Sequence, residues 1–173
     1  MCIRDRLAAA PRGTLLHAPD CYMNKLAAGP ALAGHVSLEG GAVYNIEQAM
    51  HVLDCEAKDV RIVALDRERH HQLFKEISET GAQLELLGDG DVAGAIWAAK
   101  DDGPFDMLMG VGAAPEGVIS ATAIRGIGGV FEGRLVFRSA QEEARAETMV
   151  GDDLGRLWQA TDLCQSEDAV FAA

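Results

Sequence analysis

The stretch AQLELLGDGDVAGAIWAAK, residues 82–100, decides how the chain folds. Its first six residues form a run of strand length and GDGD then punctuates. From Asp91 onward Val92, Ala95, Ile96 and Ala99 recur at the spacing of one helical face. A strand feeding a helix through a tight turn is half of a βαβ unit, so the flanking sequence settles whether the unit stands alone.

It repeats on both sides. VRIVAL (60–65) is a β-branched run of strand length, and ERHHQLFKEISETG follows with Leu73, Phe74 and Ile77 at helical spacing and Gly81 as a stop. FDMLMGV predicts the next strand and APEGVISATAIRGIGG the next helix, with Pro115 in the first turn, where a missing N–H costs nothing. VFEGRLVF predicts a further strand. SAQEEARAETMVG begins on a serine cap three residues before Glu142 and closes on Gly151. Each crossover helix returns the chain to start another strand in the same direction, so the expected class is α/β, with a mostly parallel sheet and crossover helices on both faces. YNIEQAMHVLDC reads as a helix ahead of this alternation, and DAVFAA as a strand at its end. The first 40 residues are punctuated by Pro and Gly, and MCIRDR fits neither neighbour. The expected division is therefore an irregular leader and domain junction over 1–40 and an α/β domain over 41–173.

Composition narrows the partners. With 173 residues, 49% hydrophobic and 24% charged, the chain can bury one core and lacks the signature of disorder. A net charge of −12 leaves no basic stripe for a phosphate backbone, so nucleic acid is not an expected partner. No segment reaches the ~18 continuous apolar residues of a membrane span, and no signal-type h-region opens the chain, so a cytoplasmic location is expected. Cys2, Cys21, Cys55 and Cys164 form no CxxC pair and read as reduced thiols. Trp97 and Trp158 read as core.

In an open α/β sheet, ligands sit beyond the carboxyl ends of the strands. Three chemically loaded turns fall there: LDRERHH, GDGDV and GVGAAPEG. One aspartate of the GDGD turn is explained by capping, but a second acid one residue away is repelled by it unless a cation or a hydroxyl-rich ligand intervenes. The turn is not a dinucleotide fingerprint, because its glycines run G-x-G-x-x-x-G and its acids would repel a pyrophosphate. Nor is it an EF-hand, whose central Gly and closing Glu are missing. Arg67 and Arg69 alternate with acids, a pattern shared by solvated faces and by phosphate sites at helix starts. His70 and His71 read as surface residues, and Glu116 as a first-turn acid that complements the helix dipole.

Together these turns resemble class II fructose-1,6-bisphosphatase, a metal-dependent bacterial sugar phosphatase that in some lineages also accepts sedoheptulose 1,7-bisphosphate. The matching stretches are APDCYMNKLAAGP (18–30), LDRERHHQLFKEI (65–77), GDGDVAGAI (88–96), MGVGAAPEGVISATAIRGIGG (109–129) and the terminal DAVFAA. The resemblance implies that Tyr22, Arg67, Glu68, Arg69, Asp89, Gly90, Asp91 and Ala113 contact fructose 1,6-bisphosphate and that Glu116 holds a divalent cation, Mg2+ or Mn2+. On that reading residues 41–173 are the substrate-binding domain of a sugar-phosphatase-like carboxyl-terminal portion. The remaining acidic metal ligands belong to an upstream domain that nothing before residue 13 resembles, so little activity is expected of the portion by itself. Arg67 stands where some members have lysine. Ala113 stands where glycine is common, so its methyl would crowd a ligand if the backbone required a positive φ. Apolar surface next to the absent domain makes a homo-oligomer an expected state. The competing reading is a non-catalytic α/β module that binds a sugar phosphate or nucleotide.

Overall fold

The computed structural model describes residues 6–172, so all of the MCIRDR leader but its last residue lies outside the described residues. The alternation expected from residue 60 onward is present. Strands β3 (Arg61–Leu65), β4 (Gln83–Leu87), β5 (Met107–Ala113) and β6 (Val130–Val136) are joined in turn by helices α2 (His71–Thr80), α3 (Asp91–Ala99) and α4 (Ala114–Ile127). Helix α1 (Gly41–Leu53) precedes them and α5 (Ala140–Val150) follows. The Ser139 side chain accepts from the Glu142 N–H at the start of α5, as the capping pattern requires.

The class is α/β and the sheet is mixed, in the order β4-β3-β5-β2-β6-β7. Strands β4, β3 and β5 pair in parallel, whereas β2 (Tyr22–Ala28) pairs antiparallel with both β5 and β6. Two antiparallel steps restore direction, so β6 points the same way as β5. The crossovers return the chain as expected, and the antiparallel pairings arise because β2 is inserted between β5 and β6. The short β7 (Trp158–Gln159) closes that edge antiparallel to β6. The terminal DAVFAA run contributes β8 (Val170–Ala172), which pairs with β1 (Leu7–Ala9) as a separate ribbon.

The boundary at residue 40 does not follow the sheet. Residues 22–28, expected to lie in an irregular junction, form a central strand buried almost throughout. The sequence hid it because Asn24 and Lys25 interrupt its apolar run between Pro19 and Gly29. Successive β2 side chains point to opposite layers. Met23 and Ala27 join α3 and α4 in one core, and Leu26 and Ala28 join α1 and α2 in the other, so helices cover both faces. Trp158 is core, but Trp97 is 43% exposed and leans on Phe105, because Ala95, Ala98 and Ala99 take the buried side of α3.

Candidate functional site

The basic turn follows β3. After Leu65 the chain makes one 3-10 turn over Glu68–His70 before α2 begins, and the turn is held by a histidine that the sequence placed at the surface. His70 is buried: its Nδ1 donates to the Leu65 carbonyl at 2.7 Å and its Nε2 accepts the Val111 N–H at 2.8 Å. That pair of partners fixes the neutral tautomer. Burial lowers its pKa from the usual 6.5, and the charges of Arg69 and Arg67 act in the same direction. His71 is exposed, as expected. Arg69 donates through Nε and Nη2 to the Val111 carbonyl at 3.0 and 2.7 Å. Since β3 stops pairing with β5 at Leu108, the Val111 peptide would otherwise be an open strand edge, and His70 and Arg69 complete it. Arg67 Nη1 donates to the carbonyls of Asp66 at 2.7 Å and Gly88 at 2.8 Å, tying the basic turn to the acidic one. Glu68 is exposed in the first turn.

In the acidic turn the two aspartates have separate tasks. Gly90, at φ 92°, caps α3 in the left-handed region that glycine adopts without strain. Asp89 is exposed and accepts the Gly90 N–H at 2.9 Å. Asp91 is 5% exposed, and its carboxylate does not cap the helix but receives the Lys25 ammonium at 2.6 Å. Lys25 itself is 1% exposed, in the middle of the central strand, and no motif in the sequence had singled it out. Glycines make the room. Lys25 lies opposite Gly110 on β5 and Gly133 on β6, and a Cβ on Gly112 would stand 2.1 Å from the Asp91 carboxylate. The repulsion expected between Asp89 and Asp91 is relieved inside the protein, by a lysine.

The third turn joins β5 to α4, with Pro115 in the first helical turn as expected. Ala113 has φ −69° and ψ 140°, ordinary extended backbone, so its methyl is unstrained where glycine was the common residue. Glu116 lies within range of the Asp91 charge. Partial burial, the Asp91 charge, a hydrogen bond shared with Asp91 and, more weakly, the Asp89 charge raise its pKa above the usual carboxylate range, while Lys25 acts against them. Because Glu116 keeps much of its surface in solvent, the nearby charges are the better-supported cause. Among the described residues no three His, Cys, Asp or Glu side chains are grouped to hold a metal ion, so Glu116 has no complete ligand set among them.

Tyr22 starts β2, opposite Ala113 and Val136, on the layer of α1 and α2. The guanidinium carbons of Arg69 and Arg138 lie 4.8 and 4.7 Å from its ring centroid. Beside it a cavity of about 250 Å³ is lined by Asn24, Asn45, Arg69, His70 and Val111. A larger concavity of about 680 Å³ is bounded by Glu47, Asp54, Glu56 and Asp59, acids that would repel a phosphate. Of the cysteines described, Cys21 is buried with its thiol pushed up to about 11, chiefly by burial, and is inert as a nucleophile. No described helix is long and apolar enough to cross a membrane.

Hydrogen bonds and ion pairs thus link all three expected turns at one end of the sheet, where an α/β layer meets its ligands. The chain belongs to the bacterial fructose-1,6-bisphosphatase family encoded by glpX, whose model matches residues 5–173. Among its relatives, the D-fructose 1,6-bisphosphatase class 2/sedoheptulose 1,7-bisphosphatase of Prochlorococcus marinus subsp. pastoris (strain MED4) is 40% identical over 179 residues, covering 96% of this chain and 54% of the relative. The protein of the same description from Synechococcus sp. (strain JA-3-3Ab) is 38% identical, covering 96% of this chain and 52% of the relative. One from Acaryochloris marina (strain MBIC 11017) is 40% identical with the same coverage. The chain therefore spans about half the length of these curated relatives.

Proposed function

We propose that this chain is the substrate-gripping, carboxyl-terminal portion of a sugar bisphosphatase. The whole enzyme would hydrolyse the 1-phosphate of fructose 1,6-bisphosphate to give fructose 6-phosphate, in gluconeogenesis or in a Calvin-type cycle. Sedoheptulose 1,7-bisphosphate is the second substrate named for the relatives. One observation carries the reading: Arg67 bonds Gly88, Arg69 bonds Val111, and Asp91 bonds Lys25 with Glu116 near enough to feel its charge, so three separate turns form one polar floor.

On that floor, Arg67 and Arg69 would pair with the distal phosphate through charge-assisted hydrogen bonds, with Glu68 at the rim and Tyr22 forming the wall. Asp89, exposed on its turn beside Gly90, would accept sugar hydroxyl protons. Asp91 is spent on Lys25 and would orient the turn and Glu116 from below, and the Ala113 backbone would border the sugar. Glu116 would contribute one carboxylate to a divalent cation, Mg2+ or Mn2+. Such a cation, when bound, supplies charge neutralisation of the phosphoryl group and a water of lowered pKa. The other ligands would come from the half of the relatives that this chain does not cover.

Calorimetric titration tests the binding half: fructose 1,6-bisphosphate should bind the wild-type chain and lose that affinity in Arg69→Gln. No heat from the wild type would refute it. Phosphate release with fructose 1,6-bisphosphate and Mn2+ tests the other half. Turnover near background is expected, and robust turnover by this chain alone would show that Glu116 does not depend on ligands from elsewhere.

A further inference from the structure

We propose that Arg138 and Arg69 form a two-guanidinium clamp across Tyr22, and that Arg138 is a further binding residue for a dianionic phosphate ester. The inference rests on the phosphosugar reading above and adds a fourth strand end, that of β6, to the site.

The two arginines are held alike although they come from opposite sides of β2. Arg69 spends Nε and Nη2 on the Val111 carbonyl. Arg138 spends the same two nitrogens on Glu142 Oε1, with Nε at 2.9 Å. Each guanidinium is thus locked along one edge; Arg69 Nη1 makes no hydrogen bond among the described residues, and beyond Glu142 the Arg138 guanidinium has only the Tyr22 side chain as a neighbour acceptor. Each also stacks on Tyr22, which keeps the two guanidinium carbons less than about 10 Å apart whichever ring faces they use. Two like charges so placed repel, and a dianion that reaches both past the edge of the Tyr22 ring relieves the repulsion.

Glu142 explains why Arg138 can wait in this position. The carboxylate is almost buried, with its side chain 8% exposed, whereas that of Arg138 is 58% exposed. Glu142 Oε2 also accepts the Arg138 backbone N–H at 2.9 Å, so the start of α5 is built into the clamp. An ordinary surface ion pair leaves both partners in solvent, but here the acid is buried and the base presents an edge outward. Glu142 is then a positioning residue, acting on the ligand only through Arg138.

Calorimetry or 31P NMR with inorganic phosphate and with fructose 6-phosphate tests the clamp, using wild type, Arg138→Gln, Arg138→Lys, Arg69→Gln and, as a remote control ahead of the amino end of β3, Lys58→Gln. Losing charge-assisted hydrogen bonds should weaken phosphate binding about tenfold to a hundredfold in Arg138→Gln. Arg138→Lys should recover only part, since a lysine cannot both hold Glu142 and present a second edge. Lys58→Gln should bind as wild type does. Thermal melts of each variant, together with the partial recovery in Arg138→Lys, separate lost contacts from lost folding. Unchanged affinity in Arg138→Gln alongside a loss in Arg69→Gln would overturn the clamp and leave the phosphosugar reading intact. No phosphate or ester binding by the wild type would overturn both.

Discussion

The two layers at the ligand end of the sheet have opposite chemistry, and β2 sorts them. On the α3 and α4 side, Lys25, Asp91 and Glu116 form a group whose first two members are withdrawn from solvent. On the α1 and α2 side, Tyr22, Arg69 and Arg138 form a wall whose charges stand in solvent and whose geometry is fixed by hydrogen bonds to Val111 and Glu142. Adjacent residues of one strand alternate between layers, so a three-residue step from Tyr22 to Lys25 crosses from one to the other. The difference separates the roles. The buried group is coupled to folding, and the exposed wall is the part proposed to meet the ligand.

The largest effect is expected from Lys25→Met, which leaves Asp91 buried without its counter-charge and beside Glu116. Removing one partner of such a pair costs about 3–5 kcal/mol, and replacing both with apolar residues can be nearly neutral. Urea unfolding should show that loss in Lys25→Met and recovery of most of it in Lys25→Met/Asp91→Leu. Arg138→Gln should cost less in the same measurement, because Arg138 itself stands largely in solvent and Glu142 keeps the backbone N–H of residue 138 as a donor. Equal costs for Lys25→Met and Arg138→Gln would erase the contrast between the layers.

A smaller effect is expected from Gly112→Ala. The added methyl collides with the Asp91 carboxylate, and overpacking of this kind costs about 1–3 kcal/mol. The loss should shrink in Gly112→Ala/Asp91→Ala, which a denaturation series on the four proteins of this cycle would reveal. Persistence of the full loss in the double variant would place the strain elsewhere.

The smallest effect follows from His70. Its folded-state pKa lies below the unfolded value of about 6.5, so between the two the unfolded chain binds a proton that the folded chain refuses. Its contribution is therefore fully retained above pH 6.5 and is eroded as the pH falls below it, by at most about 1.4 kcal/mol per pH unit. Urea midpoints at pH 7.5 and 5.5 should draw apart less in His70→Gln than in wild type. Identical pH dependence would mean that the ring is free to protonate inside the fold.

What the sequence revealed and what it concealed divide along the same line. Short-range patterns were legible: the strand–helix alternation, the Pro115 and Ser139 helix starts, and the three polar turns at strand ends. Glu142 was visible as the acid of a capping pattern, but its hold on Arg138 was not. Concealed were features that depend on partners distant in sequence. Lys25 made β2 look polar, and only Asp91, 66 residues away, makes its burial tolerable. His70 followed four charged residues and looked exposed until Leu65 and Val111 supplied its partners. The direction of β6 relative to β5 was correct, and the strand between them was missed for the same polar interruption.

A single site made of three turns is tested most directly by mapping backbone amide shifts in 1H–15N NMR as fructose 1,6-bisphosphate is added. Arg67–His70, Gly88–Val92 and Val111–Glu116 should move together along one binding isotherm, with Tyr22 moving alongside them. Shifts confined to one of these turns, or gathered around Glu47–Asp59 instead, would show that the strand ends do not share a ligand.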